Sequence, residues 1–304
     1  MALIAGPTAS GKSGLSVRLA QVLEHGGRKA VVINADSQQV YADLRILSAR
    51  PSEEEMGGID HRLFGTWDGA TACSAADWAA EAKGEIARCH AEGAVPILVG
   101  GTGLYLRTLL DGIAPIPAVD PAVREAVRAM STEDARGALE REDAAAAERL
   151  NPADTTRTMR ALEVVRATGR TLAEWQAHKE GGIGDRIDLH PAILLPPREL
   201  LYDRCDRRFT EMLDEGAIEE VEALLARHLD PALPVMRAIG APEIAADLSG
   251  ELSRDEAITR GQTATRQYAK RQYTWFRHQP PDEWTRFKSE SYDEIEVFAR
   301  LLRT

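Results

Sequence analysis

Continuous apolar runs of strand length alternate with amphipathic stretches along the N-terminal third of the chain. The apolar runs are Ala2–Ala5, Ala30–Ile33 and Ala94–Val99. Between them, apolar residues recur at helical spacing, at Leu15, Leu19, Val22 and Leu23 and again at Ala75, Ala79, Ala82 and Ile86. Ser74 is a candidate N-cap for the second of these helices. Strands that alternate with helices predict an α/β fold, with a parallel sheet covered by helices on both faces.

Each of these strands is followed by a polar or glycine-rich loop. The loops are Gly6–Ser13, Asn34–Ser37 and Gly100–Gly103. Parallel sheets of this class bind ligands beyond the carboxyl ends of their strands, which is the edge where all three loops lie. We therefore expect the functional site to be built from them.

The pattern changes after Gly112. From Asp120 to about His178 the chain is rich in alanine, arginine and glutamate and has no convincing strand, whereas Ala192–Leu195 is again an apolar run. We predict a core domain of residues 1–112 and 190–304, largely helical in its C-terminal part. Residues 113–189 are predicted to form a small all-helical insertion domain.

The composition is that of an ordinary globular protein, with 44% hydrophobic and 28% charged residues in a chain of 304. No apolar run approaches the roughly 18 residues that a membrane span needs. The chain starts Met1-Ala2-Leu3 without a basic leader, and its 3 cysteines lie far apart without metal-ligand spacing. We expect a cytoplasmic protein with no membrane partner and no export signal.

The charge is unevenly distributed. The formal net charge of -11 argues against a generic nucleic-acid binder, but no acidic residue occurs from Ala257 to Pro281. That stretch carries Arg266, Lys270 and Arg277 at helical spacing, opposite Ile258, Gly261, Thr265 and Tyr268, which we predict to face the core. A basic stripe on an acidic protein can hold a polyanion, although such a stripe is also typical of a solvated helix face.

The first loop matches the P-loop pattern G-x-x-x-x-G-K-[ST] between a strand and a helix. Its residues are Gly6, Pro7, Thr8, Ala9, Ser10, Gly11, Lys12 and Ser13. The backbone N–H groups of such a loop and the helix dipole bind phosphate, Lys12 adds a positive charge, and the Ser13 hydroxyl is placed to bind Mg²⁺. The motif alone does not identify the phosphate compound.

Asp36 and Gly100 bear on what happens to that compound. Asp36 follows a buried strand beside the P-loop, where a general base, a metal ligand and a turn aspartate are all reasonable interpretations. Val99 leads into glycine at the position where an ATPase often carries the acidic residue of its Walker B motif. This makes ATP hydrolysis less expected.

Six segments spread along the chain are distinctive. They are GPTASGKS at Gly6–Ser13, DSQQVY at Asp36–Tyr41, LVGGTGLYL at Leu98–Leu106, RALEV at Arg160–Val164, MRAIG at Met236–Gly240 and TRQYAKRQYTWFR at Thr265–Arg277. Together they resemble the tRNA dimethylallyltransferases, also called isopentenyl-tRNA transferases, along essentially the whole chain. The P-loop is shared with many kinases, whereas the last segment, with the DS and GGTG segments in this order, is specific. Ser13 stands where threonine is commoner in the family, and Ala241 where tyrosine is usual.

The resemblance implies a P-loop NTPase-like fold and a chemical role for the loops. It implies that the P-loop binds the diphosphate of dimethylallyl diphosphate with Mg²⁺, and that the dimethylallyl group passes to the N6 amine of adenosine 37 in tRNA. By the same resemblance Asp36 is the general base, Thr102 supports it, and Arg208 lies near the diphosphate.

The resemblance also implies where the anticodon stem-loop of the tRNA binds. The matching residues are Asp36, Ser37, Gln38, Gln39, Thr102, Arg124, Thr156, Arg157, Thr158, Met159 and Arg160. Arg266 and Lys270 of the basic stripe join this set, because the missing acids and the resemblance together favour RNA over solvent. We expect a monomer, since no exposed heptad pattern is evident.

Three other functions compete with this one. A small-molecule P-loop kinase would turn over ATP. An adenylate isopentenyltransferase of the same fold would prenylate free nucleotides without needing the helical insertion or the basic helix. A non-catalytic RNA-binding protein would leave Asp36 and Thr102 without a purpose.

Overall fold

The chain forms two compact units in a computed structural model that describes residues 1–288. The first unit comprises Met1–Leu109 and the chain from Gly184 onward, and the second comprises Leu110–Ile183. These divisions fall a few residues before the boundaries at 112 and 190 that the sequence suggests.

A 6-stranded parallel sheet forms the centre of the first unit, in the order β3-β2-β4-β1-β5-β6. The strands are β1 (Ala2–Ala5), β2 (Ala30–Asn34), β3 (Asp60–Arg62), β4 (Val95–Gly100), β5 (His190–Leu194) and β6 (Thr285–Phe287). The predicted strands and the predicted fold class are confirmed. The two short edge strands, β3 and β6, were not predicted, because polar side chains interrupt any apolar pattern there.

Helices surround this sheet. They are α1 (Lys12–His25), α2 (Glu53–Met56), α3 (Ala75–Ala91), α4 (Gly103–Asp111), α10 (Arg198–Asp214), α11 (Ala217–Ala226), α12 (Ala241–Leu248) and α13 (Arg254–His278). The division between the two units falls within α4, after Leu109. Ser74 caps α3 as predicted, through a reciprocal pair of hydrogen bonds with Asp77. No helix among residues 1–288 is both long enough and apolar enough to cross a membrane.

Side chains pack on both faces of the sheet. Ile4, Val32 and Ile97 point towards α1 and join Leu19 and Leu23 in one buried cluster. Alternate strand residues point to the opposite face, where the wholly buried Trp78 of α3 donates its indole N–H to the Asn34 carbonyl at 2.9 Å. The strands therefore sit in a dry interior that fixes where their carboxyl ends emerge.

The described part of the second unit is helical, as predicted. Its helices are α5 (Pro121–Arg128), α6 (Thr132–Glu142), α7 (Ala144–Arg149), α8 (Thr155–Thr168) and α9 (Leu172–Gln176). Val127, Leu139 and Leu162 pack in its own small core. A buried carboxylate, Glu163, is neutralised by Arg128 at 3.2 Å and by Arg160 at 3.3 Å.

Helices α10 and α13 of the first unit approach closely because a glycine faces an aromatic ring. A Cβ added to Gly261 of α13 would lie 2.1 Å from Cζ of Phe209, which is buried on α10. By contrast, Gly84 in the middle of α3 has open space where its Cβ would be. Gly261 is therefore required for the packing of two helices, whereas Gly84 has no packing reason to be glycine.

We predict opposite effects of alanine at these two glycines. Gly261→Ala forces Phe209 to move and should lower the free energy of unfolding by about 1–3 kcal/mol, as overpacking does. Gly84→Ala should raise the free energy of unfolding by up to about 1 kcal/mol, because alanine is the better helix former. Urea unfolding followed by circular dichroism measures both, and an unchanged midpoint for Gly261→Ala would contradict the packing argument.

Candidate active site

The P-loop joins β1 to α1 and is shaped by two unusual backbone positions. Gly11 (φ 87°) and Ala9 (φ 60°) adopt left-handed conformations, and Gly11 immediately precedes the first residue of α1. Gly6 must lack a side chain, since a Cβ there would lie 2.6 Å from the Leu194 carbonyl oxygen of β5. The loop thus turns sharply and ends at a helix N-terminus, as a phosphate site requires.

Lys12 extends back along this loop. Its Nζ donates to the Pro7 carbonyl at 3.3 Å. Burial lowers the pKa of Lys12; Asp36 opposes that change and the positive charge of Arg208 adds to it. Although the residue as a whole is only half-buried, its ammonium group is surrounded by protein and is poorly hydrated. Such a cation gains most from an anion that replaces the lost water.

Arg208 supplies a second cation from α10. Burial also lowers the pKa of Arg208, and the carboxylates of Glu55, Glu215 and Asp36 only partly offset it. Within residues 1–288 its guanidinium group makes no hydrogen bond or ion pair. One turn earlier on the same helix, Arg204 donates to the Ala9 carbonyl at 3.3 Å. The P-loop is therefore flanked by arginines of α10.

Asp36 is buried just beyond the carboxyl end of β2. Its N–H donates to Oδ1 of the wholly buried Asn34 at 2.9 Å, while Asn34 Nδ2 donates to the carbonyls of Asp36 and Leu63. Asp36 Oδ1 accepts the Gln38 N–H at 3.0 Å, and no described residue donates to Oδ2. Oδ1 of Asp36 thus stabilises the turn, whereas Oδ2 has no donor among the described residues and is available to a ligand.

Thr102 holds the residue that follows Asp36. Its Oγ1 accepts the Ser37 N–H at 2.9 Å and donates to Ser37 Oγ at 3.2 Å. The Tyr268 hydroxyl of α13 lies beside the side chains of both residues. Burial raises the pKa of Tyr268, the charge of Asp36 adds to that change, and the Thr102 and Ser37 hydroxyls act against it. Tyr268 therefore stays neutral and can act as a hydrogen-bond donor.

A cleft runs past Asp36, Arg208 and Tyr268. Its polar lining includes Thr8, Asp36, Gln38, Arg208 and Tyr268. Its apolar lining includes Leu47, Ala49, Phe209, Met212 and Ile239. The cleft can therefore accept a ligand with a charged end and a short apolar end.

Two residues of this site, Asn34 and Gln272, are not predicted from the sequence pattern. Tyr268 lies on the inner face of its helix, as predicted, but it also lines the cleft, which the pattern does not predict. Gln272 accepts the Thr8 N–H and donates to the Gly101 carbonyl. A polar residue on the inner face of a helix was the available signal for Gln272.

Other predicted loop residues have internal partners. Gln39 donates to the carbonyls of Ser48 and Ala49 at 3.1 and 2.7 Å, so its amide holds the loop that lines the cleft. Ser13 is exposed at the start of α1. In residues 1–288 no group of three or more acidic, histidine or cysteine side chains is arranged to hold a metal ion.

The candidate RNA-binding residues of the second unit divide into exposed and buried ones. Arg124, Thr156 and Arg157 are exposed. Thr158 is only 1% exposed and faces the unit's interior, so its prediction as an RNA contact is wrong for its side chain. Met159 packs against the core of the unit, and Arg160 is half-buried against Glu163. Helix periodicity explains this, since adjacent residues point in different directions.

The basic stripe on α13 requires a second correction. Arg266 is half-buried, and its Nη1 contacts both carboxylate oxygens of Asp206 on α10 while Nη2 donates to Thr263 at 2.9 Å. It therefore ties two helices together and does not form part of a free cationic surface. Lys270 is exposed, as the stripe predicts.

The chain matches the family model described as IPP transferase over residues 39–279. It is 67% identical over 303 residues to the tRNA dimethylallyltransferase of Erythrobacter litoralis, covering 100% of this chain and 96% of that protein. The full-length tRNA isopentenylpyrophosphate transferase of Bacillus halodurans has a similar structure, with TM-score 0.69, 31% identity and coverage of 99% and 95% of the two chains. A eukaryotic dimethylallyltransferase solved acting on tRNA matches with TM-score 0.76 and 30% identity, over 90% of this chain and 69% of that one.

We predict that Lys12 makes anion binding sensitive to alkaline pH. Its pKa lies below the ordinary 10.5, so the free protein loses this charge at a lower pH than a solvated lysine would. Relative to a variant whose cation does not titrate, the affinity for inorganic diphosphate should be constant below that pKa and fall as pH rises through it. Calorimetric titration across a pH series measures this.

Lys12→Arg provides the control for this titration. Arginine stays charged throughout the alkaline range, so the affinity of Lys12→Arg should change with pH only through the ionisation of diphosphate itself, which both proteins share. An equal loss in Lys12→Arg and in the native protein would mean that another group causes it.

Proposed function

This chain belongs to the IPP transferase family, and we propose that its cleft is where a dimethylallyl group passes from dimethylallyl diphosphate to tRNA. The acceptor is the N6 amine of adenosine 37, and diphosphate is released. The observation that carries this proposal is the open Oδ2 of Asp36, in the same cleft as the poorly hydrated cation Arg208. A second poorly hydrated cation, Lys12 of the adjoining P-loop, interacts electrostatically with both residues.

The donor's diphosphate lies in the P-loop. When the bond between the first prenyl carbon and the diphosphate oxygen breaks, negative charge grows on the leaving group. Lys12, Arg208 and the N–H groups at the start of α1 would surround that position and stabilise this charge. Burial lowers the pKa of both cations because it disfavours their charged forms, and a bound anion offsets that effect.

Mg²⁺ is the proposed cofactor. Magnesium commonly takes one or two protein oxygens and completes its shell with substrate phosphates and water, which fits an exposed Ser13 hydroxyl with no acidic cluster around it among residues 1–288. Ser13 would hold the ion, which when bound adds positive charge against the diphosphate.

The prenyl group lies against the apolar lining of the cleft. Phe209 and Met212 both lie on α10, and Met212 follows Arg208 by one helical turn. One helix therefore presents a cation and an apolar surface to the same cleft. The ring of Phe209 packs between Gly261 and Gly240. A Cβ added to Gly240 would lie 2.7 Å from this ring. Because Phe209 has no room to move back, this side of the cleft suits a short branched chain of five carbons.

The acceptor amine meets Asp36. Its lone pair is delocalised into the adenine ring, so it attacks well only if its proton is removed as the new N–C bond forms. Oδ2 takes that proton while Oδ1 keeps the turn to Gln38. The adenine must leave the base stack of the anticodon loop to reach Asp36, and the bases of RNA loops are readily extruded. Exposed Arg124 and Arg157 of the second unit would contact the phosphates of the anticodon stem-loop.

A small-molecule kinase is the competing function, and one contact disfavours it. A Cβ added to Gly100 would lie 2.2 Å from the Ala35 carbonyl group, so the end of β4 has no space for the acidic side chain of a Walker B motif. The chain therefore lacks the metal ligand that many ATP-hydrolysing enzymes place there.

Isotope-labelled dimethylallyl diphosphate tests the proposed function directly. The protein is incubated with Mg²⁺ and either unmodified tRNA or AMP, and ATP turnover is measured in parallel. We expect label only in tRNA, with nuclease digestion and mass spectrometry locating dimethylallyl adenosine at position 37. Label in AMP would favour an adenylate isopentenyltransferase, and ATP turnover would favour a kinase.

Asp36→Asn separates catalysis from binding. The amide keeps the Oδ1 acceptor for the Gln38 N–H but removes the basicity, so the single-turnover rate should fall by roughly 100-fold or more. Donor and tRNA affinities should change much less. A rate restored by raising Mg²⁺ would show that Asp36 orders the metal ion and is not the base.

Asp230→Asn is the matched control for that substitution. Exposed Asp230 makes the same type of turn, with Oδ1 accepting the Ala232 N–H at 2.8 Å, but it does not line the cleft. Its single-turnover rate should equal that of the native enzyme.

A further inference from the structure

Gln272 is a buried polar side chain that the proposed mechanism leaves unused. It lies on α13 and is 6% exposed. Its Oε1 accepts the Thr8 N–H of the P-loop at 2.8 Å, and its Nε2 donates to the Gly101 carbonyl at 2.9 Å. Thr8 and Gly101 belong to different loops at the edge of the sheet, so one carboxamide joins them.

The two partners fix the orientation of this amide. A backbone N–H needs an acceptor and a carbonyl needs a donor, and a carboxamide offers one of each at adjacent positions. Gly101 is shaped to admit it, since an added Cβ would lie 2.3 Å from Gln272 Nε2. Methionine has a similar length but a thioether that donates no hydrogen bond, so it cannot replace these contacts.

The two loops serve the two substrates of the proposed reaction. Thr8 lies in the loop that holds the diphosphate and lines the cleft. Gly101 precedes Thr102, whose hydroxyl holds Ser37 beside Asp36. The two loops are joined at their bases by the Gly6 N–H, which donates to the Gly100 carbonyl at 3.4 Å. Beyond that bond, Gln272 bridges Thr8 and Gly101, closer to where the donor and the general base would lie.

We propose that Gln272 is a positioning residue that fixes the P-loop against the Gly101–Thr102 turn, and so sets the distance between the donor carbon and the acceptor amine. This inference rests on the proposed function. Reaction rates depend steeply on such distances, and a misplacement of about 1 Å can lower a rate by roughly 100-fold. Binding of either substrate alone is less sensitive, because each loop stays intact.

Gln272→Met tests the proposal, with Gln267→Met as the matched control on the exposed side of the same helix. At saturating donor and tRNA, the single-turnover rate of Gln272→Met should fall by roughly 10- to 100-fold, while the separate dissociation constants change by less than about threefold. Gln267→Met should behave as the native enzyme does. A native rate in folded Gln272→Met would overturn the inference.

Gln272→Glu supplies a readout that loss of packing alone would not change. A protonated carboxyl accepts and donates as the amide does, whereas a carboxylate cannot donate to the Gly101 carbonyl. Burial raises the pKa of such a carboxyl, so the rate relative to the native enzyme should increase as pH is lowered towards the stability limit. A ratio that is independent of pH would contradict the proposed contacts, even if Gln272→Met fails to fold.

These outcomes are separable from failure of the proposed function. If the native protein transfers no prenyl group to tRNA, the proposed function fails before any variant is compared. If the native protein is active and Gln272→Met equals it, only the positioning role fails.

Discussion

The turn after β4 has almost no room for side chains, and the geometry of the site depends on that constraint. An added Cβ would lie 2.2 Å from Ala35 at Gly100, 2.3 Å from Gln272 at Gly101 and 2.4 Å from the Trp275 ring at Gly103. A neighbouring strand end and helix α13 therefore press directly on the backbone of this turn. Thr102, the one residue in it with a side chain, is left pointing at Ser37.

Electrostatic frustration is the second organising feature. Lys12 and Arg208 are both cations whose pKa values are lowered by burial, and Asp36 is the nearby anion that partly balances them. Buried charges are retained when a ligand completes their neutralisation. In the proposed reaction a diphosphate would do so for the two cations, which would favour its departure because negative charge grows on it in that step.

Helix α13 links these two features. Its inner face carries Gln272 to both loops and Tyr268 to the Asp36 turn, and Gly261 lets it approach α10, which carries Arg208. Arg266 adds an ion pair to Asp206 of the same α10. The segment that most specifically identified the family is thus mainly a structural support for the cleft, with Lys270 left on its exposed side.

Local periodicity and the parallel sheet make four features predictable from the sequence: the alternating strands and helices, the P-loop, the helical insertion and the loops that meet at one edge. The same patterns do not show which inward polar residues touch which loop. The predictions for Thr158 and Arg266 are wrong, and the place of Tyr268 in the cleft is not predicted, because periodicity gives the side of a helix and not the group opposite it. Asn34 and Gln272 gain their roles only when β2, β4 and α13 pack together. The Gln272 side chain, for example, bonds to Gly101, which is 171 positions away in the sequence, and to Thr8, which is 264 positions away. Only the tertiary structure decides contacts over such separations.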